Sequence, residues 1–231
     1  MKVLITGANR GIGLEFVRQL TARGERVFAT CRRPDKALAL HNLQAQHPDL
    51  VSITALDVAN PRSISESHAA ISTQTGTLDL LINNAGINID DGGFGTLDLN
   101  AMQSVLTINS IAPILVTQQY LNLIKAGSQP KIINISSGLG SLKNLNPTGH
   151  YSYSASKAAL NMYSLRLSHD LKDTGIIMIM LHPGWVKTDM GGPHADITAQ
   201  DSIKSMLQFI DNLTLAKSGG YYDYKGQAIP W

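Results

Sequence analysis

The strongest constraint in this sequence is an alternation: short β-rich runs, most of them apolar at every position, are separated by longer amphipathic stretches. Lys2 to Thr6, Arg26 to Thr30, Val51 to Leu56, Leu78 to Ile82, Lys131 to Ile135 and Ile176 to Leu181 read as strands, and another follows near Tyr221 to Tyr224. Helical stretches lie near Gly11 to Arg23, Lys36 to Gln46, Pro61 to Thr75, Leu97 to Ala126, Tyr151 to Asp173 and Ala199 to Leu213. A strand that is apolar at successive positions is buried on both faces, as in a parallel sheet covered by helices. Parallel neighbours need long crossovers, which are right-handed. The chain therefore predicts an α/β fold, a single Rossmann-type doubly wound domain over residues 1–231, with a seven-stranded, mainly parallel sheet and helices on both faces.

Charge and cysteine usage narrow the function classes. Lys and Arg total 19 against 17 Asp and Glu, a formal charge of +2 with no basic block, so a nucleic-acid partner is not expected. The only cysteine, Cys31, cannot form an intramolecular disulfide and has no second thiolate with which to hold a metal. The longest unbroken apolar run, Ile176 to Leu181, has six residues, against the ~20 of a membrane-spanning helix. Residues 1–7 pass at once from an apolar run into a glycine turn, leaving no room for a signal peptide. The expectation is a cytoplasmic protein with no membrane partner.

The first strand runs into Thr6-Gly7-Ala8-Asn9-Arg10-Gly11-Ile12-Gly13 and then a helix. Gly7 can take positive φ at the turn, Gly11 lets backbone approach a pyrophosphate, and Gly13 allows close helix–strand packing. The helix N-terminus adds free N–H groups and partial positive charge, so the strand–turn–helix context reads as phosphate binding. At the end of the second strand an acid would select NAD through the ribose 2′-hydroxyl, whereas arginine accommodates the 2′-phosphate of NADP. Cys31 stands there, followed by Arg32 and Arg33, with Arg10 nearby in the glycine turn; NADP is favoured over NAD, the alternative being a pair of solvated arginines. Asp57 after the third strand either accepts from an adenine amino group or caps the helix after Pro61. Asn83 and Asn84, after the fourth, either brace backbone or line the cofactor.

Tyr153 and Lys157 lie at i and i+4 near the start of a helix, about 5–6 Å apart at Cβ. A cation there can lower the phenol pKa, but bringing a phenol from ~10 toward 7 requires about 4 kcal/mol, more than one surface lysine supplies. A carbonyl under reduction needs an acid at its oxygen and a second donor to orient it. The fifth strand ends in Asn134-Ile135-Ser136-Ser137-Gly138; Ser137 is the candidate donor and Ser136 the fallback.

Together these motifs resemble the short-chain dehydrogenase/reductase family over essentially the whole chain. The matching pieces are Thr6-Gly7-x-x-x-Gly11-x-Gly13, Asp57-Val58, Asn83-Asn84-Ala85-Gly86, Asn109, Ser137, Tyr153-x-x-x-Lys157 and Pro183-Gly184. The resemblance implies an NADPH-dependent oxidoreductase passing hydride to a small aldehyde, ketone or quinone. Tyr153 would be the acid, Ser137 would polarise the carbonyl, Lys157 would bind the nicotinamide ribose and tune Tyr153, and Asn109 would hold a proton-passing water. Gly7, Asn9, Arg10, Gly11, Ile12 and Gly13 would cradle the cofactor, with Arg32, Arg33, Asp57 and Val58 at its adenosine end. Asn84, Ala85, Gly86, Pro183 and Gly184 would line its middle. The run Pro183 to Gly192 and the ending Gly226 to Trp231 are similar to compact carbonyl reductases of the sniffer and C-factor type, in which Val186 and Thr188 would hold the carboxamide. Relatives pair through the helices here spanning Asn109 to Ala126 and Tyr151 to Asp173, implying a homodimer or homotetramer. An alternative in the same fold is an NADPH-binding sensor with little turnover.

Ser137 precedes Tyr153 by sixteen residues, farther than the family's usual spacing, so the loop Leu139 to His150 is long. The segment after Met190 is short, which predicts an open site with little lid. Trp185 and Trp231 read as core residues, and Asp90 and Asp91 as solvated loop charges.

Overall fold

The computed structural model describes residues 1–145 and 150–231. Its main sheet contains β1 (Lys2–Ile5), β2 (Arg26–Cys31), β3 (Val51–Ala55), β4 (Leu80–Asn83), β5 (Lys131–Ile135), β6 (Ile177–His182) and a last strand, β9 (Tyr221–Asp223), in the order β3-β2-β1-β4-β5-β6-β9. Every pairing is parallel, so the sheet expected as mainly parallel is wholly so. The helices are α1 (Gly11–Ala22), α2 (Leu38–Gln46), α3 (Pro61–Ser72), α4 (Leu99–Leu106), α5 (Ala112–Lys125), α6 (Tyr151–Asp170) and α7 (Ala199–Asp211).

Side chains of one strand divide between two cores. Val3 and Ile5 join Phe16, Leu20, Leu40, Ile203 and Met206 under α1, α2 and α7, while Leu4 between them joins Ile71, Val116, Tyr120 and Ile124 under α3 and α5. The same split separates Ile133 from Ile132 and Ile179 from Met178. This is why the strands are apolar at successive positions: a period of two sends alternate residues to two dry faces.

The structure differs from the sequence reading in four respects. The helix expected over Leu97 to Ala126 is interrupted by a π turn at Thr107–Ile111. A small second sheet pairs β7 (Val186–Lys187) with β8 (Ile197–Thr198); neither two-residue strand has a period to read. Asn60, not Asp57, caps α3, accepting from Arg62 N and Ser63 N. Finally, among the described residues the run Leu99–Lys125 is long and apolar enough to cross a membrane by length and composition. Its Val105, Ala112, Val116, Tyr120 and Ile124 are nonetheless buried within the fold.

The chain leaves β1 toward β3 on one side and resumes at β4 on the other. The crevice between the ends of β1 and β4, where the direction of winding reverses, is where open α/β sheets bind ligands.

Candidate active site

A cleft of about 1200 Å³ opens at the carboxyl edge of the main sheet and is lined by the loops that leave its strands. It exceeds the usual range for a pocket holding one small ligand, roughly 300–1,000 Å³. Gly7, Asn9, Arg10, Gly11, Ile12 and Gly13 all line it, as do Arg32, Arg33, Asp57, Val58, Asn84, Ala85 and Gly86. Ser136, Ser137, Tyr153, Lys157, Pro183, Gly184, Val186 and Thr188 line it as well, whereas Asn109, also expected at the site, is buried and does not line the cleft.

The glycine turn is built as its sequence demands. Gly7 and Gly11 have φ of +66° and +53°, in the left-handed region. At Gly13 a Cβ would lie 2.3 Å from Gly7 O and 2.5 Å from Asn84 Nδ2, so only glycine fits between helix and turn. Asn84 is the brace: its Nδ2 donates to Thr6 O and Gly7 O at 2.9 and 3.0 Å. No side chain caps the N-terminus of α1, which leaves its N–H groups and positive dipole end directed at the cleft. Arg10 reaches across to Asp189 at 3.1 Å. Lys36 adds a cation to Arg32 and Arg33 on the cleft wall. Cys31 is buried, and burial pushes its thiol up.

At the other end of the cleft the hydroxyls are sorted by their partners. Ser136 Oγ donates to Asn161 Oδ1 at 2.7 Å in a buried contact. Ser137 instead reaches Tyr153, whose phenol is raised by burial and drawn partly back by the Ser137 hydroxyl. Ser137 Oγ also accepts from Leu139 N at 3.2 Å, and Tyr221 Oη donates to Ser137 O from behind. Tyr221 is itself buried and pushed up to about 12. Nothing in the sequence marked Tyr221 as the support of Ser137, because the two are 84 residues apart.

Lys157 Nζ donates to Ile135 O at 2.8 Å and lies 5.7 Å from the centre of the Tyr153 ring. Burial lowers it from 10.5 to about 8. The phenol of Tyr153 is raised by burial and drawn back only by the Ser137 hydroxyl; the expected downward pull of Lys157 is not seen. Asn109, in the π turn, brackets Ile87: its Oδ1 accepts from Ile87 N and its Nδ2 donates to Ile87 O, both at 2.8 Å. A Cβ on Gly86 would meet Asn109 Oδ1 at 3.3 Å, so this glycine lets the Asn109 amide approach the chain.

Three expectations fail around the rim. Trp185 is 52% exposed and lines the cleft, its Nε1 donating to Gly191 O at 2.7 Å. Trp231 is 47% exposed, stacked on Tyr221 with ring centres 5.6 Å apart. Neither is a core residue; both are fixed by one face and one polar contact or stack. Asp91, read as solvated, is 0% exposed, and its Oδ2 accepts from Ser152 N at 2.6 Å. It therefore caps α6 from outside, at the end that carries Tyr153. Within the long loop Leu139 to His150, residues 146–149 lie outside the described residues; Ser141 Oγ donates to Pro230 O at 2.6 Å. His182, at the end of β6, also lines the cleft, and burial lowers it to about 4.

The short chain dehydrogenase family model matches residues 1–210. C-signal of Myxococcus xanthus is 42% identical over 157 residues, covering 68% of this chain and 95% of that protein. The NADPH-bound carbonyl reductase from chicken fatty liver is 41% identical, with a TM-score of 0.95 over 100% of this chain and 98% of that one. Carbonyl reductase Sniffer of D. melanogaster is 33% identical, also with a TM-score of 0.95, over 100% and 99%. Sequence, sheet order and cleft agree, and the chain belongs to the short-chain dehydrogenase family of oxidoreductases.

Proposed function

We propose that this chain is an NADPH-dependent carbonyl reductase of small aldehydes, ketones or quinones, working as one domain whose loops form the substrate site. The observation that carries the reading is the convergence of Tyr153, Ser137 and Lys157 on the same cleft as the glycine turn. The cradle fits a dinucleotide: two positive-φ glycines, a helix N-terminus without a side-chain cap, and a Gly13 site too tight for any Cβ. At the end of β2 the lining residues are Cys31, Arg32, Arg33 and Lys36, cations suited to a 2′-phosphate. Asp57, Val186 and Thr188 line the same cleft; Asp57 would accept from the adenine amino group, and Val186 and Thr188 would hold the carboxamide. NADPH, when bound, supplies the hydride.

The remaining steps belong to the side chains. Ser137 donates to the substrate oxygen and holds it beside Tyr153. As the C–H bond forms, the carbonyl π pair moves onto oxygen, and the Tyr153 phenol gives its proton to that oxygen. The buried, protonated Lys157 stabilises the phenolate left behind. Asn109 keeps Ile87 and the adjoining Gly86 turn in position. The exposed Trp185 and Met190 frame an open rim that admits flat apolar substrates. Cytoplasmic residence and a homodimer or homotetramer complete the proposal, supported by the lone buried thiol and by the apolar Ile111, Leu115 and Met162 left at the surface of the paired helices.

The test is Tyr153→Phe together with a screen of aldehydes, diketones and quinones followed by NADPH absorbance. Turnover should fall at least about 10²-fold, while NADPH binding persists. Full turnover in the variant would overturn the assignment of Tyr153. Tight NADPH binding with no turnover by the unaltered protein across the screen would favour a sensor.

A further inference from the structure

The head of α6 carries a second group of ionisable side chains, Asp90, Asp91 and His150, none of which lines the cleft. With one Asp91 oxygen committed to Ser152 N, the other, Oδ1, is buried without a hydrogen-bond partner among the described residues. The Ser152 hydroxyl is also buried and makes no well-formed hydrogen bond among the described residues, although it lies close enough to the Asp91 carboxyl to help hold it below its ordinary value. Two of the orphaned buried polar atoms among the described residues thus occur on adjoining side chains. Orphans of this kind call for a water or an ion.

Charge and spacing favour the ion. Two carboxylates face one imidazole, and among the described ion pairs neither has a lysine or arginine partner. His150 Nδ1 lies 3.5 Å from Asp90 Oδ1 and 3.6 Å from Asp91 Oδ1, too long for good hydrogen bonds. Ligands bound tetrahedrally at about 2.0–2.2 Å from one ion stand roughly 3.4 Å apart. The observed separations are close to that edge, and the ligand atoms of all three residues lie within 4.8 Å of one another. Asp90 is exposed, and its Oδ1 also accepts from Gly92 N at 3.0 Å, which fixes that oxygen beside the imidazole.

The geometry points to a divalent-cation site formed by Asp90, Asp91 and His150, with Ser152 Oγ adjacent, selective for zinc-like ions. An imidazole nitrogen among the donors favours zinc over the hard, all-oxygen preference of magnesium. The ion ties the loop after β4 to the helix that carries Tyr153 and Lys157, joining segments 61 residues apart. The three side chains lie outside the cofactor cleft.

The experiment uses the full chain, stripped with chelator and titrated calorimetrically with zinc chloride, with magnesium chloride as control. One zinc ion per chain is expected, with micromolar or tighter affinity and at least tenfold preference over magnesium. Asp91→Asn, which retains an acceptor for Ser152 N, and His150→Gln should each weaken zinc at least tenfold; His169→Gln should leave it unchanged. The half-exposed His150 and exposed Asp90 give variants that remain informative if Asp91→Asn does not fold. Absence of saturable zinc uptake, equal affinity for magnesium, or zinc uptake indifferent to His150→Gln and Asp90→Asn would overturn the assignment.

Discussion

Lys157→Met should stabilise this protein at neutral pH while removing its activity. Lys157 is almost wholly buried, and burial lowers it from 10.5 to about 8, so holding it charged in the fold costs about 3 kcal/mol relative to the unfolded chain. Methionine fills a similar volume without a charge. It leaves Ile135 O without the 2.8 Å bond from Nζ, a loss of about 1–2 kcal/mol. The net gain is about 1–2 kcal/mol, or roughly 2–8 °C in Tm for a chain of this size. The sign with pH is fixed by the direction of the shift. Below about pH 8 the lysine is charged in both states and the full penalty applies; between about 8 and 10.5 the folded lysine is neutral first, so the unaltered protein gains stability as pH rises. Thermal unfolding of both proteins from pH 6.5 to 10 should show a gap in favour of the variant that closes toward the alkaline end. A variant less stable at pH 7, or a gap that does not change with pH, would refute the idea that Lys157 is held charged against its burial.

Arg32→Asp should move the ratio of kcat/KM for NADPH and NADH toward NADH at least tenfold, measured with one carbonyl substrate; an unmoved ratio would remove Arg32 from 2′-phosphate recognition. Gly13→Ala places a Cβ 2.3 Å from Gly7 O, so it should lower stability by about 1–3 kcal/mol and weaken NADPH at least tenfold by fluorescence titration, against the usual benefit of alanine in a helix. The adjacent serines should separate: Ser137→Ala should lower kcat about 10²-fold or more with little change in Tm. Ser136→Ala should leave Asn161 Oδ1 short of a donor and lower Tm while sparing most of kcat; the reverse pattern would exchange their roles.

The main sheet was legible because its strands bury both faces, so Val3-Leu4-Ile5 and Ile132-Ile133 announce themselves without help from tertiary context. The glycine turn and the Tyr153/Lys157 pair were legible because their spacing is local. What escaped depends on distant partners. Asp91 looks like any acid in a polar loop until Ser152, 61 residues on, supplies the N–H it caps. Ser136 and Ser137 cannot be ranked until Asn161 claims one hydroxyl and Tyr153 faces the other. Trp185 and Trp231 read as core residues because a large aromatic is usually buried, whereas here a cleft rim and a ring stack hold them half in solvent. The two-residue strands β7 and β8 have no pattern to detect.

The π turn at Thr107–Ile111 has a consequence for anyone who would idealise this protein. Such a turn is one residue longer than the regular spiral allows, and it occurs where Asn109 brackets Ile87. Deleting one residue there would merge α4 and α5 into a continuous regular helix; because the wide turn takes up one extra residue, the flanking halves would keep their faces while the residues of the turn itself are re-aimed. Asn109 would then lose its aim at Ile87. Stability-guided redesign, consensus regularisation or a one-residue deletion library would register the repaired helix as an improvement and only an activity assay would register the loss. The irregularity gives one residue more room than a regular turn would, and that room lies where Asn109 meets the loop after β4.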